Sequence, residues 1–203
     1  MPLSTKRLCL DTGSRVLTIA LLGLCLLASS SAAAATLEGQ EFDETIRLSN
    51  RDLRLNGLGV RKILFINAYV AALYLGERVG TALEVAVMPG PKRLQLRMLQ
   101  NAGPDDFTSA LVTGIRKNTS DAEQIRLGDR IVQLQRTINR IGRTSKGDNI
   151  TLDYLPDSGT RLAVNGVSQG QVIAGADFFD ALLDIFAGEK PVDSRLKMGL
   201  LGQ

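Results

Sequence analysis

The sequence predicts an α+β fold, a large, mainly antiparallel sheet with helices packed over one face. Three observations carry that reading. Short runs of alternating apolar residues are joined by tight-turn sequences such as Asp157-Ser158-Gly159 and Asn165-Gly166, which make neighbouring strands antiparallel. Helical stretches come in pairs, one pair in the middle of the chain and one at its end. No strand–helix–strand unit repeats along the chain.

The first 35 residues stand apart from this pattern. Lys6, Arg7 and Arg15 precede an apolar run of 13 residues, 16–28, and Ala33-Ala34-Ala35 supplies a small-residue cleavage signal before Thr36. This is the layout of a secretory signal peptide over residues 1–35, leaving one domain over 36–203. The run is shorter than the roughly 20 residues of a helical membrane span, so no stable span is expected after cleavage. Both cysteines, Cys9 and Cys25, lie in the leader. The processed chain therefore has no disulfide, no thiol nucleophile and no thiolate metal site. Cleavage also removes three cations and Asp11, which lowers the net charge from +3 to +1. The basic pI is thus poor support for nucleic acid as a partner. The chain contains no histidine. That excludes Ser-His-Asp and Cys-His mechanisms and histidine metal ligation. No metal and no cofactor is expected.

In chain order, Phe42, Glu44, Ile46 and Leu48 alternate as an outer strand over 38–48, and 49–52 is a turn. The stretch 53–76, LRLNGLGVRKILFINAYVAALYLG, organises the rest. Its centre, 63–75, holds no Gly or Pro and reads as one central strand, apolar on both faces, with a buried helix as the competing reading. Asn67 and Tyr69 would share one face, and buried polar groups need partners, of which a ligand is one. Gly57 and Gly59 mark a bulge or a close backbone approach. A short helix covers 81–87, and a half-buried strand carries Leu94, Leu96 and Met98. Pro104, with Asp105 and Asp106, starts a helix with the stripe Phe107, Leu111 and Ile115. The next helix, 120–138, is read with Ile125, Ile131, Leu134 and Ile138 inward. Strands follow at 150–154, 162–164 and 171–173. Two helices close the chain, 176–186 stopped by Gly188, and a last one opened by Pro191.

Gly166-Val167-Ser168-Gln169-Gly170 matches the G-x-S-x-G nucleophile elbow. The match is weak, because it joins strand to strand and the chain has no histidine base. Lys190, Arg195 and Lys197 read as a solvated helix face.

From Asn56 onward the chain resembles the chalcone isomerase-like family. Gly57-x-Gly59-Val60-Arg61 and the strand ending Ala72-Leu73-Tyr74-Leu75 are similar to its opening signature. The tail adds Asn165-Gly166, Ile173-x-Gly175-x-Asp177-Phe178-Phe179, Lys190-Pro191-Val192-Asp193 and Leu200-Leu201-Gly202. The resemblance implies an open-faced β-sandwich with a ligand cleft between sheet and helices, and with the leader it implies a periplasmic protein of the bacterial branch. In plant isomerases of the family an arginine at the place of Arg61 binds substrate, and a helix carries a Tyr-x-x-Lys-x-x-x-Asn set. Here those helix positions are Phe107, Ala110 and Gly114, without hydroxyl, amine or amide. The family's non-catalytic members hold a fatty-acid carboxylate with the same arginine and a strand tyrosine, for which Arg61 and Tyr69 stand. The resemblance thus implies an exported binder of a fatty acid or similar apolar carboxylate, with Arg61, Tyr69, Asn67 and Phe107 as candidate ligand-binding residues and no catalytic residue. The alternative is an isomerase acting by intramolecular addition on a small substrate, phenolic or otherwise; a third reading is an interaction module with a vestigial cleft. Along a straight strand Arg61 and Tyr69 would lie roughly 26 Å apart, so they meet only if the chain folds back near residues 62–64. The bland alternatives are an arginine paired with an acid at a strand end and a core tyrosine bonded to backbone.

Overall fold

Runs of alternating apolar residues separated by short turns build most of the molecule described by the computed structural model, which covers residues 34–203. The predicted signal peptide lies almost wholly outside these residues. Its expected cleavage point, before Thr36, falls inside the first strand, β1 (Ala34–Leu37), which pairs with β2 (Gln40–Asp43). The alternation read as one outer strand is thus two. It breaks at Glu44, and β3 (Thr45–Leu48) edges a separate seven-stranded sheet.

That sheet is antiparallel throughout and runs in sequence order: β3, β4 (Arg51–Ile63), β5 (Ile66–Leu75), β6 (Lys92–Met98), β7 (Asn149–Leu155), β8 (Gly159–Val164) and β9 (Val167–Ile173). Asn165 and Gly166, both at positive φ (50° and 80°), make the two-residue turn between β8 and β9. Gly166-Val167-Ser168-Gln169-Gly170 is therefore turn and strand, with no helix after it.

The stretch 63–75 is not one strand. The chain reverses at Leu64-Phe65, so Ile63 faces Ile66 and Arg61 faces Tyr69. Leu64 takes φ 55° without being Gly or Asn, which is why no turn signal showed in the sequence. Two bulges bend this hairpin, at Asn56 and at Ala68. The second puts Asn67 opposite Lys62 and breaks the simple alternation that placed Asn67 and Tyr69 on one face.

Among the described residues five helices follow from their caps: α1 (Ala82–Val87), α2 (Pro104–Asn118), α3 (Asp121–Ile141), α4 (Ala176–Ala187) and α5 (Ser194–Leu200). Thr81 and Ser120 cap α1 and α3 in reciprocal capping boxes with Glu84 and Glu123. The last helix starts after Pro191, where Asp193 accepts from the amides of Arg195 and Leu196. The inward seam of α3 is Leu127, Ile131, Leu134 and Ile138; Ile125 is instead 81 % exposed.

One sheet face, with Ala71, Leu73, Leu75, Leu94, Leu96 and Met98, packs against α2–α5. The opposite face carries Val70, Ala72 and Tyr74, which pack with Phe42, Leu48, Leu53 and Leu55 from β2–β4. Gly57 and Gly59 let α5 lie directly on β4. A Cβ on Gly59 would stand 2.5 Å from the Leu196 carbonyl oxygen, and one on Gly57 would collide with the Gly199 carbonyl. Beside them the buried Asn56 amide donates to Leu200 O at 2.7 Å and accepts from Val79 N at 2.8 Å.

Candidate functional site

Between the helices and the sheet lies a cavity of about 190 Å3, where about 10–15 Å3 holds a single water. Its walls come from β4 to β8 and from α2, α3 and α4. With strands about 4.8 Å apart, the lining reaches roughly 19 Å across the sheet. Leu111, Leu134, Leu152, Leu162, Leu182 and Phe186 make its interior apolar. Its polar lining side chains are Arg61, Tyr69, Asp106 and Thr144. The exposed members of the lining, Ile63, Asp106 and Ala110, set the mouth between the end of the β4–β5 hairpin and the first turns of α2.

The fold-back at Leu64-Phe65 and the bulge at Ala68 bring Arg61 and Tyr69 together as cross-strand partners. Arg61 is partly buried. Its Nη1 donates to Lys62 O at 3.0 Å and reaches Asp193 Oδ2 at 3.4 Å. Nε and Nη2 have no partner among the described residues. The Asp193 carboxylate also accepts from the amides of Lys62, Arg195 and Leu196. Burial works against its charge, but those amides and Arg61 outweigh burial and hold its carboxyl below the usual range. Burial pushes the Tyr69 hydroxyl well above its ordinary value; Arg61 pulls it down and Asp193 pushes it up. Tyr69 is therefore a protonated donor at ordinary pH. None of the bonds of Arg61 or Asp193 goes to it.

The end of the cavity thus offers a guanidinium with uncommitted donors beside a phenol that donates. A single 3.4 Å contact leaves the Arg61–Asp193 pair loose, whereas a bidentate carboxylate would sit at about 2.7–2.9 Å. The arrangement can bind an anionic head and shield an apolar tail.

Residues 34–202 match the family model described as chalcone isomerase-like. The chain belongs to the chalcone isomerase-like family. A crystal structure of an Arabidopsis thaliana fatty-acid binding protein is similar at a TM-score of 0.62 and 16% identity, covering 83% of this chain and 96% of that one. At that identity the likeness is one of fold. No curated protein sequence matches the chain.

Of the residues expected from sequence, Arg61, Tyr69 and Phe107 line the cavity of this chalcone isomerase-like chain, and Asn67 does not. At the positions of the plant isomerases' helix set, Phe107 and Ala110 face the cavity, while Gly114 lets α2 close on Ile185. Sequence reasoning missed Asp193 and Ile63. An aspartate directly before Ser194-Arg195-Leu196 is a helix-capping signal that could have flagged the first. The second was hidden inside an apparently continuous strand.

Proposed function

We propose that this chalcone isomerase-like chain is an exported, non-catalytic binder of a fatty acid or a similar apolar carboxylate. The observation that carries the reading is the apolar cavity of about 190 Å3 with Arg61 and Tyr69, cross-strand partners, in its lining. Burying each methylene contributes about 0.8 kcal/mol. The charge-assisted bond to Arg61 adds roughly 1.5–3 kcal/mol, so Arg61 orients the ligand and the tail supplies most of the affinity. Lining positions filled by Phe107 and Ala110 offer no acid or base for isomerase chemistry, and Tyr69, held protonated, is a poor base. Export to the periplasm rests on the charge, apolar run and Ala33-Ala34-Ala35 signal of the leader.

Native mass spectrometry of the chain from Thr36, isolated without detergent from an exporting host, tests the reading. The expected result is a co-purified fatty acid, depleted about tenfold or more in Arg61→Ala. A bare mass that takes up no added fatty acid would sink it.

A further inference from the structure

The β4–β5 turn points four apolar side chains outward. Ile63 and Ile66 are 52% and 58% exposed, Leu64 86% and Phe65 94%. A reversal built on Leu-Phe rather than Asn-Gly, with Leu64 at φ 55°, is held in a conformation that bulky residues avoid. Backbone convenience does not explain those residues, and the fold leaves them uncovered. Four side chains on one protruding turn also fall well short of the roughly 800 Å2 per partner of a stable protein interface.

What lies beside the tip favours a lipid surface. Ile63 belongs both to the tip and to the cavity mouth, so the apolar tip runs on into the apolar cavity. Ala68 O accepts from Leu99 N at 2.9 Å and Met98 O from Gly147 N at 2.8 Å, which puts the 143–148 turn at the same end of the sheet. Lys62, Arg143 and Lys146 are exposed on that rim. The same end also carries Asp105, Asp106 and Asp148, of which Asp106 accepts from Gly103 N and Asp148 from Ser145 N and Asn165 Nδ2, while Lys62 is the charged residue directly beside the tip in the chain. Apolar side chains at the point with cations behind them suit the interface of an anionic bilayer.

We propose that the 63–66 hairpin tip inserts into the surface of an anionic lipid bilayer and sets the cavity mouth against it. The inference stands on the tip, the rim and the position of the mouth, and does not require the cavity to hold a lipid.

The chain has no tryptophan, so Phe65→Trp introduces a single reporter at the tip. With vesicles of phosphatidylcholine and phosphatidylglycerol, the expected result is a blue-shifted, brighter emission that brominated acyl chains quench. Leu64→Asp with Phe65→Asp should cut co-flotation of the Thr36–Gln203 chain about tenfold or more, with an unchanged melting curve. Emission that ignores vesicles would overturn the proposal. So would an equal shift from Leu83→Trp on α1, which is 73% exposed and lies at the opposite end of the sheet, because that would mean indiscriminate adsorption. A shift that tracks protein concentration without vesicles would overturn it in favour of a second copy. Cavity loading is read separately by native mass spectrometry, so loss of either property leaves the other measurable.

Discussion

Ala110 stands at the cavity mouth with only a methyl group to fill it. Ala110→Trp would lay an indole across the entrance while leaving the buried core untouched. The expected outcome is loss of fatty-acid uptake, measured by displacement of a fluorescent acid, with a melting temperature within a few degrees of the parent. Persistence of binding would move the entrance elsewhere. The same residue bears on the isomerase alternative, since an alanine there leaves no amine where the plant isomerases' helix set carries a lysine. Asp193 acts at this scale too. It competes for the guanidinium, yet it also caps α5, so its two roles are bound together in one carboxylate.

The seat of α5 on β4 depends on the absence of side chains at Gly57 and Gly59. Gly59→Ala would force helix and strand apart and should cost about 1–3 kcal/mol in urea unfolding. No loss would mean that α5 is not held against β4. This contact was half legible in the sequence, where two nearby glycines announced a bulge or a close approach, and both occur. The turn at Leu64-Phe65 was illegible, because reversals are recognised by Gly, Asn or Pro and this one has none. Its apolar residues also extended the apparent strand, which hid the Arg61–Tyr69 pairing that shapes the site. On α3, Ile131, Leu134 and Ile138 were read inward correctly, and only Ile125 was misplaced. Ile125, the fifth residue of the helix, is exposed, and Leu127 takes the inward place. Strands β6–β8 were legible because their alternation is regular and their turns carry Gly, Asn and Asp. β1 was not, because a run of small residues before Thr36 reads equally well as a cleavage site.

Across the whole molecule, α4 presents Asp177, Asp180 and Asp184, and they are not equivalent. The bidentate bond from Arg130 holds Asp177 below the usual carboxylate range. Burial lifts Asp184, Asp180, Glu123 and Glu189 add to the rise, and Lys197 opposes it. An acid whose value is raised in the folded state costs nothing below its unfolded value and its full penalty above its folded one. Asp184→Asn should therefore raise the melting temperature near neutral pH, and the gain should fade as pH falls toward the ordinary aspartate value of 3.8 and be gone below it. A gain of equal size at both ends of that range would assign the effect to something other than ionisation. The sheet itself is laid down in sequence order, each strand beside the one made before it. The Asn56–Leu200 bond is the opposite case, joining residues 144 apart. During synthesis β4 keeps its glycines and Asn56 uncovered until α5, 144 residues further on, has been made. α5 thus works as a latch on strands already laid down: a chain that stops before Val192 would keep every strand described here, yet lack both the Asn56 bond and the carboxylate that steadies Arg61.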